Sequence, residues 1–84
     1  MRYRSRTDII SQILEAASGG ATKTKIMYRA FLSYAQLKEY LNVLTTNGLL
    51  DYNSSEQLFR TTEKGSKFLK LYSLIGEIAP PSSE

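Results

Sequence analysis

Apolar residues recur at helical spacing along most of this 84-residue chain. The clearest run lies between Leu32 and Leu50, where Tyr34, Leu37, Leu41 and Leu44 mark one face of an amphipathic helix. Tyr40 thickens that face. Ser33 is a good N-cap, and Asn47-Gly48 supplies the left-handed residue that closes a helix. The opposite face is polar, with Gln36, Lys38, Glu39, Asn42 and Thr46. Upstream, Ile9, Ile10, Ile13, Leu14 and Ala17 predict a buried helix from Asp8 to Ala17, capped by Thr7 or Asp8 and broken by Ser18-Gly19-Gly20. Thr22 predicts the start of a second helix, KTKIMYRAF. Ile26, Met27 and Ala30 suit its buried side, while Lys23, Lys25, Tyr28 and Arg29 crowd the rest. Only Leu32 and Ser33 separate it from the third helix, which suits a helix-turn-helix corner.

The pattern shortens after Gly48. Leu49 to Tyr52 predicts a strand, Asn53 to Glu56 a polar turn, and Gln57 to Thr61 a returning strand. Two strands are not stable alone, so the hairpin must pack on the helices. Thr62 caps a last helix with Glu63 in its first turn, and Pro80-Pro81 stop it. The order helix, helix, helix, hairpin, helix is that of a winged helix-turn-helix, an α+β fold that is mainly α. The expected division is a basic arm over 1–6, a winged-helix domain over 7–62, a C-terminal helix over 63–79 and a tail over 80–84.

That last helix has more apolar surface than one core requires. Phe68, Leu69, Tyr72 and Ile75 can cover the domain, which leaves Leu71, Leu74 and Ile78 as a second stripe. A homodimer seam along these three is the expected use, since paired reading heads match a pseudo-palindromic site.

Charge sharpens the picture. The net charge is +3, but residues 1–70 hold all eleven basic groups against six acidic ones, and residues 71–84 hold only two glutamates. A polyanion would therefore meet the domain rather than the C-terminal end. The first residues, MRYRSR, read either as a solvated terminus or as an arm reaching DNA phosphate or the minor groove. With no cysteine or histidine, disulfides, thiolate metal sites and the commonest zinc ligand are removed. No run approaches the ~20 apolar residues of a membrane span, and the expectation is a soluble, cytoplasmic, nucleoid-associated protein without cofactor or metal.

Catalytic chemistry has no visible foothold. Ser, Thr and Lys lack an activating base, no acidic cluster is present, and Ser18-Gly19-Gly20 stops a helix rather than cradling a phosphate. An enzyme is not expected.

Several motifs together resemble the small archaeal winged-helix proteins, the group that includes the 10 kDa Sulfolobus chromatin proteins and related transcriptional regulators. They comprise Thr24, Lys25, Ile26, Met27, Tyr28, Ala30, Leu32, Ser33 and Tyr34; then Gln36, Leu37, Tyr40, Leu41, Gly48, Leu49 and Leu50; and lastly Thr62, Lys64 and Gly65. In that pattern Phe31 takes a position often polar, Phe59 replaces Tyr, Thr61 stands where an apolar residue is usual, and the wing tip has no Lys or Arg. The resemblance implies double-stranded DNA binding, often as a dimer through the last helix. Gln36, Lys38, Glu39 and Asn42 are expected to face the major groove, with Gln36 and Lys38 nearest the bases. Ser33 and Tyr34 are expected to complete the DNA-binding set, Tyr34 presenting its hydroxyl to phosphate, and Lys23, Lys25, Arg29 and Arg60 to hold phosphates. The uncharged wing tip and Phe31 motivate the alternative, a protein-interaction module without DNA binding.

Overall fold

A computed structural model describes residues 4–78, with side chains described through residue 75. Four helices and one hairpin follow in order: α1 (Arg6–Ala16), α2 (Lys23–Arg29), α3 (Tyr34–Thr46), β1 (Leu50–Asn53), β2 (Leu58–Thr61) and α4 (Glu63–Ile78). This is the expected mainly helical winged-helix arrangement. Arg2 of the basic arm, the Pro80-Pro81 stop and the 80–84 tail lie outside the described residues, as does the side chain of Ile78.

α1 begins at Arg6, earlier than expected, because Ser5 rather than Thr7 or Asp8 is the cap. The Ser5 hydroxyl accepts from the Asp8 N–H at 3.0 Å, and the Asp8 carboxylate accepts from the Ser5 N–H at 3.1 Å. This reciprocal capping box satisfies two otherwise orphaned donors. Asp8 also accepts from the Tyr72 hydroxyl of α4. Chiefly because of that bond, its carboxyl is held below the usual range, and the Tyr72 phenol is pushed up by the same partner.

α2 and α3 end in the same way. Beyond α3, Leu49 N–H donates to Leu44 at 2.9 Å and Gly48 N–H to Thr45 at 3.1 Å, the two bonds of a Schellman motif. Gly48 takes the left-handed position, with φ of 77°. Beyond α2, Leu32 N–H donates to Met27 at 3.1 Å and Phe31 N–H to Tyr28 at 3.3 Å. Here the left-handed residue is Phe31, with φ of 54°, a conformation that costs a side-chain-bearing residue roughly 1–2 kcal/mol. Arg4 answers that end of α2: its guanidinium donates to the carbonyls of Ala30 and Phe31 and to Gln12. Arg4 is therefore engaged by the corner, although the sequence offered it no partner.

The core gathers Ile13, Leu14, Ala17, Ile26, Leu37, Leu41, Leu44, Leu50 and Phe59, so every element before α4 contributes to it. The antiparallel hairpin pairs Leu50 with Thr61 and Tyr52 with Phe59. It is fastened to the helices by Ala21 and Phe59, whose N–H and carbonyl groups exchange bonds at 2.9 and 2.8 Å. Thr61 holds its unusual place for a polar reason, since its hydroxyl donates to the Leu14 carbonyl at 2.6 Å. At the start of α4, Thr62 donates to Gly48 and Lys64 to Asn47, closing carbonyls at the end of α3. Gly65 is needed where α4 passes the hairpin. A Cβ there would lie 2.5 Å from the Leu49 oxygen and 2.6 Å from Thr61.

α4 packs on the core through Phe68 and Leu69 and on α1 through Tyr72. Ile75 corrects the expectation that it would join them, being 61% exposed. It stands with Leu71 and Leu74, which are 60% and 50% exposed. Rotation alone would keep Ile75 in line with Phe68, but it lies a turn beyond Tyr72, past the last α4 residues held against the core and α1, and there it borders Leu71 and Leu74.

Candidate nucleic-acid interface

The capping that shapes α3 also sets its first side chains. The Ser33 hydroxyl accepts from the Gln36 N–H at 3.2 Å, while the Gln36 side-chain oxygen accepts from the Ser33 N–H at 3.1 Å. Both residues are exposed, but the Gln36 oxygen is already engaged, which leaves its amide NH₂ as the freer group for a ligand. The pattern Ser-x-x-Gln at 33–36 is itself a signature of this box, so this restriction was readable in the sequence.

Leu37, Leu41 and Leu44 point α3 into the core, which fixes what remains outside. At 100° per residue, Gln36 and Lys38 lie about 160° apart around the helix. They flank the outward face rather than sharing one side of it. Ala35, Glu39, Asn42 and Thr46 occupy its centre, all exposed, and the small Ala35 leaves room for close approach. Tyr34 falls on the Lys38 side.

Lys23, from the first turn of α2, reaches the same place. Its ammonium stands 5.7 Å from the Tyr34 ring centroid, and that of Lys38 stands 5.5 Å from it. Two cations from separate helices thus stand over one exposed aromatic ring, a favourable geometry for each. Lys25 and Arg29, one turn apart and exposed, lie about 160° and 120° around α2 from Lys23 and charge its other flank. Among the described residues no carboxylate lies within ion-pair distance of Lys23, Lys25, Arg29 or Lys38. Tyr40 packs against the core, and Arg6 stacks over its ring at 5.5 Å.

Arg60 is placed elsewhere. Strand alternation turns Tyr52 and Phe59 toward α3 and puts Arg60 with Asp51 on the other face of the hairpin. There its guanidinium stands 3.7 Å from the Glu56 carboxylate. The structure therefore brings together Lys23, Tyr34, Lys38 and Asn42, leaves Lys25 and Arg29 exposed on another flank of α2, binds Ser33 to Gln36, and separates Arg60 from all of these. The sequence reading missed Arg4, whose contacts with the corner join residues more than twenty positions apart. No local signal marks such a contact.

Among the described residues no cluster of three or more His, Cys, Asp or Glu could hold a metal ion. No described helix is long and apolar enough to cross a membrane.

Comparison with known proteins agrees with this architecture. The model of the winged helix-turn-helix family matches residues 3–79. An uncharacterised protein of Methanocaldococcus jannaschii is 37% identical over 79 residues, covering 92% of this chain and 76% of its own. The crystal structure of Sso10a-2, a DNA-binding protein from Sulfolobus solfataricus, superposes with a TM-score of 0.74 at 21% identity. That match covers 96% of this chain and 100% of the other, and it bears on the fold.

Proposed function

The chain belongs to the winged helix-turn-helix family, which is not a family of enzymes, and on that premise we propose that it binds double-stranded DNA through α3. The observation that carries this reading is the group of four cations, Lys23, Lys25, Arg29 and Lys38, facing solvent around the corner. The named DNA-binding activity of Sso10a-2 supports it. In this reading Asn42 and Glu39 face base edges with Lys38. Gln36 and Ser33 meet one strand's backbone from the other flank, and Tyr34 offers its hydroxyl to phosphate.

Fluorescence anisotropy with a labelled duplex tests the reading. Binding at micromolar protein that weakens steeply with salt is the expected result, because each neutralised phosphate releases counterions. Absence of binding, or indifference to salt, rejects it. Genomic footprinting then separates a transcriptional regulator from a chromatin protein. A regulator shows discrete sites preferred by roughly 10³ or more over other DNA, whereas an architectural protein shows broad coverage.

The same protein is proposed to act as a homodimer along α4. Leu71, Leu74 and Ile75 present one stripe to solvent, and Ile78 continues it in sequence. Burying such side chains contributes about 1.5–3 kcal/mol each before the costs of association. Sedimentation equilibrium of the wild type and of a Leu71→Glu/Leu74→Glu variant is the check. A dimer that becomes a folded monomer supports the seam, and a wild type that stays monomeric at high concentration removes it.

One observation favours a second reading. Phe31 and Tyr28, 79% and 71% exposed, stand together at the corner, where an apolar partner surface could meet them. A chain that fails to bind duplex yet loses a partner on Phe31→Ser would be an interaction module.

A further inference from the structure

Between α3 and the hairpin lies an open groove of about 430 Å³. Its floor is apolar, formed by Leu41, Leu50 and Phe59. Tyr52, half exposed, stands at the wing side with its ring 4.6 Å from that of Phe59. Lys23 and Lys38 line it too, from α2 and α3, with their ammonium groups 5.7 and 5.5 Å from the Tyr34 ring centroid. Asn42 adds a neutral hydrogen-bonding group. Asp51 borders the wing edge, but strand alternation directs its carboxylate to the hairpin's other face, opposite Arg60.

The volume falls within the roughly 300–1,000 Å³ of small-molecule sites. Its chemistry is divided, with apolar and aromatic walls on one side and two cations on the other. We propose that this groove binds a small planar aromatic anion, an aryl carboxylate or aryl phosphate, and that a molecule seated there excludes duplex DNA from α3. The first clause stands on the groove alone, whereas the second rests on the DNA-binding reading of α3.

Each part of the groove selects a part of the ligand. The ring lies on the half-exposed ring of Tyr52, above the apolar floor of Leu41 and Phe59. The anionic group meets Lys23 and Lys38, compact charges with three donors each, which answer a carboxylate or a phosphate. An aliphatic anion leaves the Tyr52 ring uncovered, and a neutral ring leaves both cations unanswered. Lys23, Lys38 and Asn42 are also side chains offered to DNA. Ligand and duplex therefore draw on the same groups, and each lowers the other's affinity by the same factor. The sequence held no sign of such a cavity because its walls come from α2, α3 and both strands.

The test uses the full chain, isotope-labelled for amide NMR, and naphthoate as probe. Its neutral counterpart is naphthalenemethanol, and succinate is the anion without a ring. Naphthoate should give saturable shifts centred on the amides of residues 38–45 and 52–59, with a dissociation constant of about 1 mM or tighter. Naphthalenemethanol, succinate, and a Lys23→Gln/Lys38→Gln variant titrated with naphthoate should each bind about tenfold more weakly. Both lysines are exposed, and the variant's own spectrum reports whether it is folded. Shifts that are absent, scattered over the surface, or unchanged in the variant overturn the site. In a second arm at constant ionic strength, saturating naphthoate should weaken duplex binding several-fold while succinate does not. Undiminished duplex affinity with the groove filled overturns the exclusion. Naphthoate binding by a chain that binds no duplex upholds the site and overturns the exclusion together with the DNA-binding reading.

Discussion

The helix-turn-helix corner and the hairpin both carry basic and aromatic residues, yet they treat them in opposite ways. At the corner, Lys23 and Lys38 converge on the exposed ring of Tyr34, and Lys25 and Arg29 extend outward with no carboxylate in ion-pair reach among the described residues. In the hairpin, Phe59 is buried, Thr61 donates to the Leu14 carbonyl, and Arg60 is matched with Glu56. The hairpin turns Phe59, Arg60 and Thr61 to the protein itself, whereas the corner leaves its cations facing solvent. Being named a wing does not make a hairpin a DNA clamp. What decides the matter is whether its cations are free and on the face that meets the duplex.

The largest effect expected from this contrast is on stability. Phe59→Ala should cost about 3 kcal/mol, because it empties a buried site shared by the hairpin and the helices. Urea unfolding measures it, and Lys25→Ala, at an exposed position, should stay within about 0.5 kcal/mol of the wild type in the same assay. Similar losses in the two variants would erase the distinction between framework and binding surface.

Binding should show the reverse order. Lys25→Ala is expected to weaken affinity for every duplex and to lower the salt slope by about 0.9, the share of one phosphate. Arg60→Ala, already matched with Glu56 on the hairpin's other face, should leave that slope unchanged. Equal slopes lost in both variants would put the hairpin on the DNA.

A smaller effect compares the ends of the two corner helices. Gly48 and Phe31 occupy the same left-handed position in equivalent motifs. Phe31→Gly should therefore raise stability by about 1 kcal/mol and Gly48→Ala lower it by a similar amount. Thermal unfolding of the pair reads both signs. A destabilised Phe31→Gly would mean that the exposed ring contributes packing worth more than the strain of its backbone.

Most of the fold was legible because its signals are local. Helical spacing marked α1, α3 and α4, Thr22 and Ser33 marked two caps, and Gly48 marked the end of α3. α1 starts before the Thr7 or Asp8 cap that its apolar spacing suggests, and Ser5-x-x-Asp8 spells out the capping box that sets it there. The candidate site was legible only as a set of residues. Periodicity put Lys38 and Gln36 on the polar side of α3 but did not separate its two flanks, and the side to which each turns depends on how deeply Leu37, Leu41 and Leu44 sit. Arg60 could not be placed from sequence, since its direction follows from the register that pairs it with Asp51. The Arg4 contacts and the α3–hairpin groove arise from segments distant along the chain, so nothing local announces them.

The central claim is that a duplex is held by the corner and not by the wing. Amide NMR of the full chain titrated with duplex DNA at low salt tests it most directly. The predicted result is perturbation concentrated at residues 22–29 and 33–46, fading as salt is raised, with the hairpin tip at 54–57 left in place. Perturbation centred on that tip or on α4, with the corner unmoved, would contradict it.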